Sequence, residues 1–136
     1  MAKKKIICDT DVMIDFWDLS NIRHIKTKII LEENIGLDGV VLSAITKMEL
    51  LLGATNKQDL AKIKKNLQRF DLALLDSAIT IKAFELIEKY HLSHGLALPD
   101  CIIAATAIIT DLELFTYNLK DYRFISGLKI YKSMSD

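Results

Sequence analysis

One proline, two cysteines and no net charge are what a chain of 136 residues offers here, and each scarcity excludes something. Cys8 and Cys101 sit in apolar sequence without metal-type spacing, so they read as buried thiols rather than a disulfide or a zinc site. Eighteen basic residues balance eighteen acidic ones, which leaves no global field to draw the protein onto nucleic acid or an anionic membrane. Any polyanion has to be bound locally. Long hydrophobic runs are missing near the start: Ile6-Ile7-Cys8 is ended at once by Asp9, too short for a signal peptide or a membrane span. A cytoplasmic protein without a membrane segment is expected. Repeats, linkers and low-complexity stretches are absent too. What is present is apolar residue, 51% of the chain, enough to bury a core in one domain spanning 1–136.

The order of patterns alternates strand and helix. Lys4 to Cys8 reads as a short buried strand, followed by a short helix from Val12 to Trp17. Ile22, Ile25, Ile29 and Ile30 recur at helical spacing between Ser20 and Glu33, which predicts an amphipathic helix capped by Ser20 or Asn21 and ended by Gly36 and Gly39. Val40-Val41-Leu42 predicts a second strand, and Ser43 caps a helix from Ala44 to Leu52 stopped by Gly53. Ile45, Met48 and Leu52 mark its inward stripe. Glu49 lies on the same side, so an acid is aimed at the core and a positive partner is expected to meet it. Asp59 to Phe70 forms another amphipathic helix, Leu72 to Leu75 a third strand, and Asp76 or Ser77 caps a helix whose Ile79, Ala83, Leu86, Ile87 and Tyr90 face inward ahead of Gly95. Pro99 opens a helix over Leu98 to Ile109 that is apolar almost all round, with Asp100 as its only charge. Leu112 to Tyr117 is a fourth strand, and Lys129 to Tyr131 a short last one. Such alternation predicts a three-layer α/β/α domain with a short, mainly parallel sheet, because parallel strands need crossovers and helices supply them.

In open α/β sheets ligands bind beyond the carboxyl ends of the strands. Asp9, Asn118 and Asp121 fall at or just past such ends, and Glu49 and Asp100 lie on helices that begin on that side. Two unit charges about 4 Å apart repel by roughly 4 kcal/mol at an effective dielectric of about 20, so an acidic cluster persists only with protons or cations to neutralise it. Carboxylates and an amide form a hard-oxygen donor set, which favours Mg²⁺ or Mn²⁺ over zinc and points to phosphoryl or phosphodiester chemistry.

Four segments, in order, resemble the motifs of PIN-domain nucleases: Cys8-Asp9-Thr10-Asp11-Val12-Met13-Ile14-Asp15, Ser43-Ala44-Ile45-Thr46-Lys47-Met48-Glu49-Leu50, Leu98-Pro99-Asp100-Cys101-Ile102-Ile103-Ala104-Ala105-Thr106-Ala107, and Phe115-Thr116-Tyr117-Asn118-Leu119-Lys120-Asp121-Tyr122. The chain is most similar to the VapC-type toxins of type II toxin–antitoxin pairs. The resemblance implies a metal-dependent endoribonuclease that cuts RNA with Mg²⁺ or Mn²⁺, forms a homodimer, and is inhibited by a cognate antitoxin. It also implies a set of site residues: Asp9, Glu49 and Asp100 match the family's acidic metal ligands. Either Asn118 or Asp121 completes the set while the other supports it, and Thr116 matches a hydroxyl that orients the site. Asp11 departs from the more usual Asn or Ser; it either adds charge to the cleft or caps the following helix, and the cap is the favoured reading.

Lys47, Lys120 and Arg123, close to these motifs, are candidates for holding an RNA backbone, with surface solubilisation as the competing role. His24, His91 and His94 read as exposed or capping residues. Met13, Phe16 and Trp17 read as core, or as the flank of a groove for an antitoxin, since partners in this family cover an apolar flank and reach a basic side chain toward the acids. Two alternatives compete. Asp9-Thr10-Asp11 also resembles haloacid-dehalogenase-like phosphatases, with Asp9 as nucleophile, although Met13 departs from that pattern. A catalytically silent PIN-type binding module is the other.

Overall fold

The computed structural model describes residues 4–133. Its centre is a parallel sheet of strands β1 (Ile6–Cys8), β2 (Val40–Ser43), β3 (Asp71–Ala73) and β4 (Glu113–Phe115), in the order β3-β2-β1-β4. Ile6 pairs with Val40 on one side and Glu113 on the other, Cys8 with Phe115, and Ser43 with Ala73. β1 and β2 are buried along their whole length, which explains why both read as unbroken apolar runs instead of alternating ones.

Successive strand residues point to opposite faces, and the core divides accordingly. Ile7, Val41 and Leu114 pack against helices α5 (Ser77–His94) and α6 (Leu98–Thr110). Ile6, Cys8, Val40, Leu42 and Phe115 pack on the other face, against α1 (Thr10–Trp17), α4 (Lys57–Leu67) and the segment that follows α2 (His24–Ile29). Helix α3 (Ala44–Leu52) touches α1, α4 and α6 near the ends of the strands. These are the three layers that the alternation predicts. Both cysteines are free thiols in the core, as read, and burial pushes each thiol up so that neither is a thiolate.

Most predicted boundaries hold. Ser43 caps α3 by accepting from the Thr46 N–H, Asp76 caps α5 by accepting from that of Ile79, and Gly95 closes α5 in the left-handed region at φ 66°. Four do not. The first helix starts at Thr10 with Asp9 as its cap, so Asp11 has no capping role. Ser20 and Asn21 build turns instead of a cap, with Ser20 bonded to Asp18 and Asn21 accepting from the Arg23 N–H. Helix α2 begins only at His24 and widens into a π-helical turn over Ile30–Ile35, ended by Gly36 at φ 83°. The predicted strand over Lys129–Tyr131 is a single parallel bridge, Ile130 to Leu114.

Two inward stripes are also corrected. Ile22 is 98% exposed and Ile25 73%, while Thr27, Ile30, Leu31 and Ile35 face the core. In α3, Met48 and Leu52 are exposed, while Ala44 and Thr46 are buried. Helical spacing alone fits more than one stripe, and the polar partners decide. Thr27 Oγ1 lies 2.6 Å from the Tyr117 hydroxyl, and Thr46 Oγ1 accepts from Ser43 and lies 3.0 Å from Thr10 Oγ1, so both threonines are buried with their hydroxyls satisfied.

Candidate functional site

The crossovers from β1 to β2 and from β2 to β3 run outward in one direction, and the next returns past both to place β4 on the far side of β1. β1 and β4 are therefore neighbours whose following segments diverge, the kind of switch point at which open α/β sheets leave a crevice. Asp9 leaves β1 here and Thr116 leaves β4 beside it. Pairing continues up to the site itself, with the Asp9 N–H donating to the Phe115 carbonyl at 2.9 Å.

Asp9 is buried, and both its oxygens are engaged. Oδ1 accepts from the Thr10 N–H at 2.8 Å, and Oδ2 from the Thr116 hydroxyl at 2.7 Å. Thr116 is itself oriented by the Asn118 N–H, which donates to its Oγ1 at 3.0 Å. Asp100, in the first turn of α6, accepts from the Tyr122 hydroxyl at 3.0 Å, and that hydroxyl also lies 3.4 Å from Asp9 Oδ1. Glu49 accepts from the Thr10 hydroxyl at 2.7 Å. No cation meets Glu49 among these contacts: the positive partner expected for it is a threonine hydroxyl, because the side chain stays only half-buried and keeps part of its hydration.

The acids feel one another. Burial raises the pKa of Asp100 most, the charges of Asp9, Asp121 and Glu49 raise it further, and the Tyr122 hydrogen bond pulls the other way. Asp9 at the exit of β1, Glu49 on α3 and Asp121 in the turn after β4 thus all act on Asp100 of α6. Asn118 is exposed and its backbone N–H bonds to Thr116, whereas Asp121 is half-buried. Among the described residues no three His, Cys, Asp or Glu side chains stand close enough to form a complete metal cage. The donors are nevertheless all hard oxygens, and Asp11 adds a carboxylate whose two oxygens are buried without a hydrogen bond. This fits a cation such as Mg²⁺, which uses one or two carboxylates and keeps several waters.

Sequence reading missed the hydroxyls that hold these acids. Thr10, Thr46 and Tyr122 have no charge and no fixed spacing from their partners, and only Thr10, adjacent to Asp9, carried a local signal. It also passed over Asp15, a buried carboxylate paired at 2.7 Å with Arg23 Nε. Of the basic candidates, Lys120 and Arg123 are exposed beside the turn carrying Asp121, and Lys47 lines a separate cleft with Lys64 and Gln68. His91 and His94 are exposed as read. His24 is half-buried, with Nδ1 3.1 Å from the Asp15 carbonyl.

Comparisons agree with the geometry. No curated protein sequence matches the chain significantly. Among solved structures, a toxin-antitoxin complex from Klebsiella pneumoniae is similar at 30% identity and TM-score 0.73, covering 95% of this chain and 100% of that one. FitAcB from Neisseria gonorrhoeae is similar at 26% identity and TM-score 0.71, covering 93% and 96%. DNA-bound VapBC from Salmonella typhimurium shares the fold at 24% identity and TM-score 0.76, covering 94% and 97%. The family model for the PIN domain matches residues 6–125 and so takes in all four strands, which leaves no room for the haloacid-dehalogenase resemblance of Asp9-Thr10-Asp11. A parallel sheet with acids gathered at its switch point, matched over nearly its whole length, is what places this chain in the PIN-domain family.

Proposed function

We propose that the chain, as a single domain over 1–136, is a metal-dependent endoribonuclease and the toxin of a cytoplasmic type II toxin–antitoxin pair, working as a homodimer. The observation that carries the reading is the approach of Asp9 and Asp100 to one hydroxyl, that of Tyr122, at 3.4 and 3.0 Å beside the switch point, with Glu49 and Asp121 near enough to act on Asp100. Asp9 and Asp100 would hold Mg²⁺ or Mn²⁺, with Glu49 and Asp121 as further carboxylates, directly or through water. Bound there, the cation supplies a water of lowered pKa and stabilises charge on the attacking and leaving oxygens of a phosphodiester. The chain's own residues do the positioning. Thr116 orients Asp9, the Asn118 N–H orients Thr116, and Thr10 orients Glu49. Lys120 and Arg123 lie exposed on the same rim, where they would meet the backbone of the RNA.

An antitoxin partner is supported by a second feature. A cleft of about 420 Å³ runs from Glu49 between α1, α3 and α4, lined by Ile14, Trp17, Leu50 and Ile63 and edged by Asp18, Asp59 and Lys62. Trp17 in its wall is backed by the rings of Phe16 and Phe70. Apolar walls whose acids, Glu49, Asp18 and Asp59, outnumber the one lysine suit a peptide that brings apolar anchors and a basic side chain. The Klebsiella relative is itself a toxin-antitoxin complex.

The test of the nuclease reading is cleavage of RNA by purified protein with Mg²⁺ or Mn²⁺, with and without chelator, beside Asp100→Asn. Wild type is expected to cut only with metal, and Asp100→Asn to lose activity by at least 10²-fold, a loss of several kcal/mol of transition-state stabilisation. Equal cutting by both proteins would assign the activity to a contaminant. No cutting by either would leave a silent PIN scaffold.

A further inference from the structure

We propose that Tyr122 is a positioning residue of the acid site, its hydroxyl holding the Asp100 carboxylate beside that of Asp9 and thereby setting the affinity for the divalent cation. The inference rests on the metal-site reading above.

Tyr122 is 1% exposed and is among the largest fully buried side chains. Its ring lies in the core cluster with Ile103, Leu114 and Ile125, where a phenylalanine would fill the same space. The hydroxyl is therefore the part that packing does not require. A buried hydroxyl without a partner is costly, and this one points at the two acids, 3.0 Å from Asp100 Oδ1 and 3.4 Å from Asp9 Oδ1. A phenol has one proton to give and stays neutral near pH 7, so it donates to one carboxylate at a time, and Asp100 is the nearer. Asp9 is already held by Thr10 and Thr116. Among the described residues Asp100 accepts from no other donor, so Tyr122 alone holds it beside Asp9.

The backbone explains why this position can do the work. The Tyr122 N–H donates to the Leu119 carbonyl at 3.1 Å, at the end of the short turn Leu119–Asp121 that also carries Asp121. One turn thus delivers a fourth carboxylate and the donor that restrains Asp100. Hydrogen-bonding partners of metal-binding carboxylates typically tune metal affinity by about 10–100-fold, because they fix the oxygens before the ion arrives.

The experiment is direct Mn²⁺ binding, by calorimetry and by the electron paramagnetic resonance of free Mn²⁺, on wild type, Tyr122→Phe and Asp100→Asn. Tyr122→Phe is expected to weaken Mn²⁺ binding about tenfold or more with circular dichroism unchanged, and Asp100→Asn to weaken it further. An affinity for Tyr122→Phe within about twofold of wild type, with Asp100→Asn impaired, overturns the role of Tyr122 and leaves the metal site standing. Absence of Mn²⁺ binding by wild type overturns both. Should Tyr122→Phe not fold, the wild-type crystal structure with Mn²⁺ decides: the hydroxyl is expected within about 3.2 Å of Asp100, and a separation beyond about 4 Å contradicts the proposal.

Discussion

Asp9 and Asp11 sit two residues apart in sequence and meet opposite fates. Asp9 takes hydrogen bonds from Thr10 and Thr116 and stays engaged on both oxygens, whereas both Asp11 oxygens are buried without a partner. Burial first, and then the charge of Asp9, push Asp11 up to about 7. The folded chain therefore keeps a proton that the unfolded chain gives up near pH 4. Stability falls as pH rises from about 4 to about 7 and levels off above that window. In chelator-containing buffer Asp11→Asn is expected to melt higher than wild type, by a margin that grows across the same window to about 1–3 kcal/mol at pH 8. That value lies below the full linkage because the side chain is partly open to water. A margin that does not change with pH in thermal melts would contradict it. The sequence displayed Asp11 as a departure from the usual residue but not its burial, since a carboxylate in a helical first turn has an ordinary place in solvent.

At the scale of elements, α2 shows where pattern reading reached its limit. Of the predicted stripe Ile22, Ile25, Ile29 and Ile30, the first three face outward and only Ile30 is buried. Three polar contacts choose the other face: Asp15 with Arg23, the Arg23 guanidinium 4.4 Å above the centre of the Tyr117 ring, and Thr27 with the Tyr117 hydroxyl. These contacts pin α2 to α1 and to the exit of β4. Arg23→Ala is expected to destabilise the protein by about 1–3 kcal/mol in urea denaturation, since it strands the buried Asp15 carboxylate while the half-exposed arginine loses little of its own. Adding Asp15→Asn should return part of that loss. A double variant no more stable than Arg23→Ala alone would show that the pair does not lock the helices. By contrast α5 and α6 were legible almost residue by residue, because Ile79, Ala83, Leu86 and Tyr90 offered one apolar stripe with no rival.

At the scale of the whole molecule, a chain with no net charge separates its charges by fold. The acids gather at the carboxyl end of the sheet beside an apolar cleft, while Lys4 and Lys5 are taken up by Glu113 and Asp71 at the strand starts and edge. Such a combination leaves the site open to anions only with a cation present, and gives a basic peptide a way to occupy it. Expression of the chain alone is expected to arrest growth, and expression of Asp100→Asn to leave growth unchanged. The small protein encoded beside it is expected to relieve the arrest and to co-purify with the chain. Equal growth with wild type and Asp100→Asn would remove the toxin role.

The layers and the sheet's parallel character could be read from the chain's patterns. Buried parallel strands must be continuously apolar, and helix caps and stops are local chemistry that Ser43, Asp76, Pro99 and Gly95 carry on their own. The meeting of the acids, and the hydroxyls that hold them, came from long-range contacts. Tyr122 reaches Asp100 across 22 residues of sequence and Asp9 across 113, and Thr10 reaches Glu49 across 39. A hydroxyl announces its partner only when the fold brings the two together, and the same long-range polar contacts select between helix faces that periodicity leaves equivalent.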